Sequence, residues 1–159
     1  MNQHVNDAST ISSAERMVAS LKDVPVRVSE VMTSDPMTLS SEQSFAEVVG
    51  LMANRSFRHV LVIDAGKRLH GVISDRDVLR ALSRTPDWSK KSVSDIMTRD
   101  SITTTPECAI SAAVRLMLDK RINCLPVLAA DGRVCGILTS TDLLKAYEQI
   151  QRRFESTAE

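Results

Sequence analysis

The chain is poor in aromatic rings: phenylalanine, tryptophan and tyrosine together make up 3% of its 159 residues. Its core must rest on Val, Ile, Leu, Met and Ala. The same scarcity argues against a row of stacking platforms for single-stranded nucleic acid. An excess of one charge is lacking too. Lys+Arg and Asp+Glu both number 20, for a formal net charge of +0. A protein that grips a duplex carries a basic excess, so no nucleic-acid partner is expected. Long apolar runs are missing. The richest stretches, such as Val60-Leu61-Val62-Ile63, are strand-sized and far short of a membrane span, so no membrane association is expected. Met1 to Thr10 are polar and lack the apolar centre of a secretory signal. The three cysteines, Cys108, Cys124 and Cys135, are odd in number and include no C-x-x-C pair. That pattern speaks against a disulfide framework or a zinc site and for a reducing, cytoplasmic setting. His4 and His70 have no partner pattern, and no metal is expected. The chain has no G-x-S-x-G, no H-E-x-x-H and no phosphate-cradling glycine loop. Neither an enzyme nor a catalytic cofactor is expected.

What is present is a repeat. Residues 28–81 and 93–146 align without a gap at an offset of 65, with 17 identities in 54 positions. V-S-E-V-M-T at 28–33 matches V-S-D-I-M-T at 93–98. Gly71-Val72-Ile73-Ser74-Asp75-Arg76-Asp77 matches Gly136-Ile137-Leu138-Thr139-Ser140-Thr141-Asp142. A register of this kind implies two copies of one supersecondary unit.

Both copies read the same way. A short extended piece, Met37-Thr38-Leu39 or Ile102-Thr103-Thr104, precedes a helix. In the first repeat Ser44 and Glu47 spell a capping box, with Phe45, Val48, Val49 and Met52 on one face. In the second the same face carries Ile110, Ala113, Val114 and Met117. A strand follows, Val60 to Ile63 or Leu125 to Leu128. A turn at Gly66 or Asp131-Gly132 leads to a second strand, Leu69 to Ile73 or Val134 to Leu138. A second helix starts near Asp75 or Ser140. The predicted class is mixed α/β (α+β): two β-α-β-β-α units. One unit of this size has little core of its own, so the two are expected to pack sheet to sheet as one pseudo-two-fold module. The expected organisation is 1–27 as an N-terminal segment with a short helix at 12–21, and 28–81 as repeat 1. A linker at 82–92, repeat 2 at 93–147 and a helical tail at 148–159 complete it.

These residues resemble the CBS domains, named after cystathionine β-synthase. The resemblance rests on V-x-[DE]-[IV]-M-T, the Thr of the first strand, Leu125-Pro126-Val127 and the twice-present G-h-h-[ST]-x-x-D, where h is apolar. It covers roughly 28–147, about three quarters of the chain. The sequence departs from it at Leu61, where the second repeat has Pro126, and at Ser101, where the first has Pro36.

The resemblance implies a stand-alone regulatory pair (a Bateman module) that binds AMP, ADP, ATP or S-adenosylmethionine in clefts between the repeats. It also implies a homodimer and an unidentified partner protein that the module regulates. The alternative is an interaction or oligomerisation scaffold whose clefts stay empty. Carried over residue by residue, site A combines Thr38, Phe57, Arg58 and His59 with Thr139, Ser140, Thr141 and Asp142. Site B combines Thr103, Ile122, Asn123 and Cys124 with Ser74, Asp75, Arg76 and Asp77. Asp77 and Asp142 are expected to cap their helices and to accept ribose hydroxyls. The free amides of each helix start would hold phosphate. Arg58 with His59 would add charge in site A, and Arg76 alone in site B. Gly71 and Gly136 would let the nucleotide come close to the strand.

Overall fold

The computed structural model describes residues 24–55, 57–84 and 86–157, together with Glu15 and Val18. The helix expected over 12–21 lies, apart from those two residues, outside the described residues. Repeat 1 contains β1 (Thr38–Leu39), α1 (Phe45–Arg55), β2 (His59–Ile63), β3 (Leu69–Ser74) and α2 (Asp75–Arg84). Repeat 2 contains α3 (Ile110–Lys120), β4 (Cys124–Leu128), β5 (Val134–Thr139) and α4 (Ser140–Thr157). The fold is mixed α+β, as the patterning predicts. Helix α1 begins at the capping box: the Ser44 amide donates to Glu47 Oε2 at 2.7 Å, and the Glu47 amide donates back to Ser44 Oγ at 3.4 Å.

The two hairpins are near copies. β2 and β3 are antiparallel with Val62 opposite Gly71; β4 and β5 are antiparallel with Val127 opposite Gly136. Each carries one irregularity at the same place, after Val62 and after Val127. They differ at the turn. Repeat 2 places Gly132 at φ 80°, where glycine carries no steric penalty; repeat 1 forces Lys67 to φ 61°.

They differ again at the first strand. β1 runs parallel to β2, with Thr38 opposite Leu61. The Leu61 amide donates to the Met37 carbonyl at 3.0 Å. Position 126 is proline, which has no N–H to donate. The piece expected at Ile102–Thr104 is therefore reduced to one bridge, Thr104 with Val127.

The repeats exchange their opening segments. The Val28 and Ser29 amides donate to the carbonyls of Cys108 and Pro106, both at 2.9 Å. The Val93 and Ser94 amides donate to Gln43 and Ser41 at 2.9 and 3.1 Å. Val28 is wholly buried in the core of repeat 2 with Ala113, Met117, Leu125, Val127 and Leu138. Val93 and Met97 are buried in the core of repeat 1 with Phe45, Val48, Val60 and Ile73. Burying one such valine stabilises by roughly 1.5 kcal/mol, and here each gain depends on the other repeat. A third cluster joins the two sheets face to face through Leu61, Val72 and Ile137.

This exchange explains the glycines of the G-h-h-[ST]-x-x-D motif, and it corrects the expectation that they admit a nucleotide. The amides of Val72 and Thr98 exchange hydrogen bonds with each other's carbonyls at 3.0 and 2.9 Å; those of Thr33 and Ile137 do the same at 2.9 and 3.0 Å. A Cβ on Gly71 would sit 2.7 Å from the Thr98 carbonyl oxygen. One on Gly136 would sit 2.8 Å from Met32 Sδ and 3.0 Å from the Thr33 carbonyl oxygen. The glycines make room for the other repeat's V-x-x-x-M-T segment.

Candidate functional site

The motif ends in a reciprocal cap, the same in both repeats. The Ser74 amide and hydroxyl donate to Asp77 Oδ2 at 2.9 and 2.6 Å, and the Asp77 amide donates to Ser74 Oγ at 3.2 Å. The Thr139 amide and hydroxyl donate to Asp142 Oδ2 at 2.8 and 2.6 Å, and the Asp142 amide donates to Thr139 Oγ1 at 3.3 Å. Each aspartate thus has its Oδ2 committed to the helix start. Oδ1 is bound more loosely. Arg80 Nη1 reaches that of Asp77 at 3.3 Å, and the Thr33 hydroxyl reaches that of Asp142 at 3.2 Å.

Two cavities open against these caps. Cleft B, of about 290 Å³, brings Ser74, Asp75, Arg76 and Asp77 together with Ile122, Asn123 and Cys124. Cleft A, of about 260 Å³, brings Thr139, Ser140, Thr141 and Asp142 together with Phe57, Arg58 and His59. Thr38 and Thr103 line neither cleft. Their places are taken by Met37 and Ile102, one residue earlier. Side chains alternate along an extended segment, so a shift of one residue turns the threonine away.

The charges are distributed otherwise than expected. Arg58 and His59 line both clefts. The Arg58 guanidinium is held on the cleft B side by Asp75 Oδ2 at 3.1 Å. Arg121 joins Arg76 in cleft B, and Lys145 joins cleft A. Arg121 closes α3 in a left-handed conformation at φ 54°, a backbone choice that its residue type does not announce. Burial pushes the His59 imidazole below its ordinary value, against the pull of the Asp75 carboxylate, so it is neutral at pH 7. Partial burial raises the Asp75 carboxyl, but the Arg58 guanidinium and the Arg76 amide outweigh it and hold the group below its ordinary value. Burial drives the Cys124 thiol up to about 12, with a further push from Asp77. Cys124 is a protonated wall residue and no nucleophile.

The helix starts also differ. In cleft B the amides of Asp75, Arg76 and Asp77 donate to the Arg58 carbonyl, Asp75 Oδ1 and Ser74 Oγ at 2.9, 2.8 and 3.2 Å. No amide is left there for a phosphate, contrary to expectation. In cleft A, Ser140 stands where cleft B has Asp75. Its amide donates to the Asn123 carbonyl at 3.0 Å, and the Thr141 amide has no partner among the described residues.

Sequence reasoning missed Thr33, Asp35, Thr98 and Asp100, all of which line the clefts. A signal was present. Thr-x-Asp recurs at the same offset in both repeats, at exposed positions that no core requires.

A family model for the CBS domain matches residues 28–84 and 93–149. The chain belongs to the CBS domain family. As a tandem CBS pair it is 28% identical over 117 residues to an inosine-5'-monophosphate dehydrogenase of Nitrosopumilus maritimus, covering 74% of this chain and 23% of that protein. The CBS pair spans about a quarter of the length of the dehydrogenases and acetyltransferases it matches among curated proteins. Solved CBS pairs share its fold. The CBS domain pair of protein MJ0100, in complex with 5'-methylthioadenosine and S-adenosyl-L-methionine, has a TM-score of 0.71 and 27% identity, over 79% of this chain and 98% of that one. CBSX2 in complex with AMP, a CBS-pair protein of Arabidopsis thaliana, has a TM-score of 0.72 and 28% identity, over 80% of this chain and 99% of that one. No helix among the described residues of this pair is long and apolar enough to cross a membrane.

Proposed function

We propose that this CBS pair is a regulatory module that binds an adenosine-type ligand in the clefts between its repeats and signals to a partner protein. The observation that carries this reading is that Asp77 and Asp142, each capping its helix through Oδ2, line cavities of about 290 and 260 Å³ between the repeats, large enough for a small molecule. Vicinal ribose hydroxyls can donate to Oδ1 while Oδ2 keeps the helix capped. The similar solved pairs hold AMP, 5'-methylthioadenosine and S-adenosyl-L-methionine. The module binds and does not catalyse: Cys124 is held protonated, and the two aspartates are committed to their caps. The unbridged cysteines support a cytoplasmic setting.

The test is a thermal-shift series with AMP, ADP, ATP, NADH and S-adenosylmethionine. A ligand that binds only the folded chain raises its melting temperature. Asp77→Ala and Asp142→Ala each weaken one cleft by roughly tenfold to a hundredfold, the loss of a charged acceptor. Each also costs about 1 kcal/mol of helix capping. The second reading is a scaffold with empty clefts. No shift with any of the five ligands would establish that reading.

The partner surface is repeated as well. Leu79 and Leu82 on α2 match Leu144 and Tyr147 on α4 at the same offset, and they are 66%, 37%, 67% and 60% exposed. An apolar pair presented twice about a pseudo-two-fold suits an isologous homodimer. Light scattering should give twice 17.5 kDa; the single mass at tens of micromolar overturns the dimer.

A further inference from the structure

Helix α2 carries a row of like charges that its twin lacks. Arg76, Arg80 and Arg84 stand four residues apart and follow one face of the helix, a spacing at which like charges repel. The equivalent residues of α4 are Thr141, Lys145 and Gln149, a single cation. Arg76 lines cleft B. Arg80 and Arg84 continue the row into a separate cavity of about 210 Å³, where they meet Lys91 of the linker and the carboxylates of Asp77 and Asp95. Those carboxylates have other partners. Asp77 caps its helix through Oδ2 and takes Arg80 Nη1 on Oδ1 at 3.3 Å. Asp95 Oδ2 accepts the Ser92 amide and hydroxyl at 2.8 and 3.0 Å, and Lys91 acts on it only through space. Arg84 and Lys91 remain. Among the described residues, neither side chain makes a hydrogen bond or an ion pair. Lys91 is also half-buried, so its ammonium has given up part of its hydration. The fold does not need these two cations. The Phe45 amide donates to the Lys91 carbonyl and the Ile110 amide to the Val26 carbonyl, both at 2.9 Å, so the two frames are equivalent. The second frame has Val26 in place of Lys91 and Gln149 in place of Arg84.

We propose that this cavity is an anion site, separate from both clefts, that takes a phosphate dianion between Arg84 and Lys91. Three cations against two carboxylates leave its lining with one net positive charge. An arginine fork and a lysine ammonium together suit a tetrahedral anion: the fork fixes two oxygens, and the ammonium adds a point charge. An anion seated there also relieves the repulsion along α2 and replaces the hydration that Lys91 has lost. Asp77 lines both this cavity and cleft B, so the site is a neighbour of that cleft and stands whatever the cleft binds.

The experiment is titration of the full chain with inorganic phosphate against chloride at constant ionic strength. It is read by nuclear magnetic resonance at Arg84 Nε and at Lys91 Cε, the carbon beside the ammonium. The expected result is that both resonances move along one saturable curve with phosphate and stay in place with chloride. Arg84→Gln, which installs the twin's residue, should weaken the curve read at Lys91 by about tenfold, and Lys91→Gln should do the same to the curve read at Arg84. The control Lys90→Gln alters a cation outside the cavity and should change it by less than about twofold. An Arg84 that serves only the end of its helix predicts a lower melting temperature in Arg84→Gln and no phosphate response, and that result overturns the site. So does an unsaturating drift that chloride reproduces, which is screening alone. A parallel titration with AMP separates the sources of phosphate. Resonances that move with AMP but not with inorganic phosphate make the cavity an annex of cleft B and sink it as a separate site. If a variant does not fold, the unaltered chain decides by whether its two resonances saturate together with inorganic phosphate.

Discussion

Cleft B covers its helix start with Asp75, whose carboxylate takes both the Arg76 amide and the Arg58 guanidinium. Cleft A has Ser140 at that position and leaves the Thr141 amide bare among the described residues. In the first strand the order is reversed: the Met37 carbonyl, from a residue of cleft A, is satisfied, and that of Ile102, from a residue of cleft B, has no partner among the described residues. One duplicated frame has thus distributed its spare hydrogen-bonding capacity differently around the two clefts. The changes responsible are single residues, Asp75 against Ser140 and Pro126 against Leu61. A repeat that keeps its caps, hairpins and glycines can still give its copies different chemistry.

The largest test of this unequal symmetry lies in the cores. Phe45 is fully buried and meets Trp88 edge-on, with ring centroids 5.8 Å apart. Its counterpart Ile110 is only half-buried. Phe45→Ala should cost about 3–5 kcal/mol and Ile110→Ala about 2 kcal/mol or less by urea denaturation. Equal losses would mean that the two cores are equally packed.

The glycines come next. At Gly71 the obstacle is backbone, the Thr98 carbonyl at 2.7 Å; at Gly136 the nearest atom is the sulfur of the flexible Met32. Gly71→Ala should cost about 2–3 kcal/mol and Gly136→Ala about 1–2 kcal/mol. A reversed order would show that the Thr98 segment gives way more easily than the Met32 side chain.

The third test uses pH. Burial holds the folded His59 below the 6.5 of an unperturbed imidazole. Unfolding therefore takes up a proton between that folded value and 6.5. The stability His59 confers is present above about 6.5 and is lost as pH falls through the depressed folded value. His59→Gln should flatten that stretch of the curve. Cys124, its counterpart, stays protonated up to about 12 and contributes no slope there. Curves that overlay below pH 6.5 would leave His59 without this role.

The smallest effect belongs to the turns. Lys67 sits at φ 61° and Gly132 at φ 80°. Lys67→Gly should stabilise the chain by about 0.5 kcal/mol, the relief of left-handed strain less the entropy that glycine adds to the unfolded state. A loss of stability would mean that the lysine side chain earns its place at the turn.

Much of this was legible in the residues. The fold class, the caps at Ser44, Ser74 and Thr139, and the strands around Val62 and Val127 all follow from local rules of period and capping. The pairing of each aspartate helix with the other repeat's middle strand came from the family resemblance, and the cleft linings agree with it. What escaped were features set by contacts distant in sequence. The glycines were read against a ligand because the segment that needs their space lies some distance away in the chain. Thr38 and Thr103 were chosen as the shared residue type of the first strand, but facing is decided by register. Arg58 was assigned to cleft A alone because its bond to Asp75 belongs to the tertiary fold.

The exchanged opening segments have a consequence for how such a chain can arise and be divided. A polypeptide holding only one repeat would carry its V-x-x-x-M-T arm with no cavity of its own to fill, and a core with a hole the size of Val28 or Val93. Two such polypeptides would each supply what the other lacks, arm into core, twice over. The tandem chain is that mutual embrace written into one gene. Its linker joins halves that already require each other, and a cut at Pro86 or Asp87 should leave two fragments that copurify as one particle.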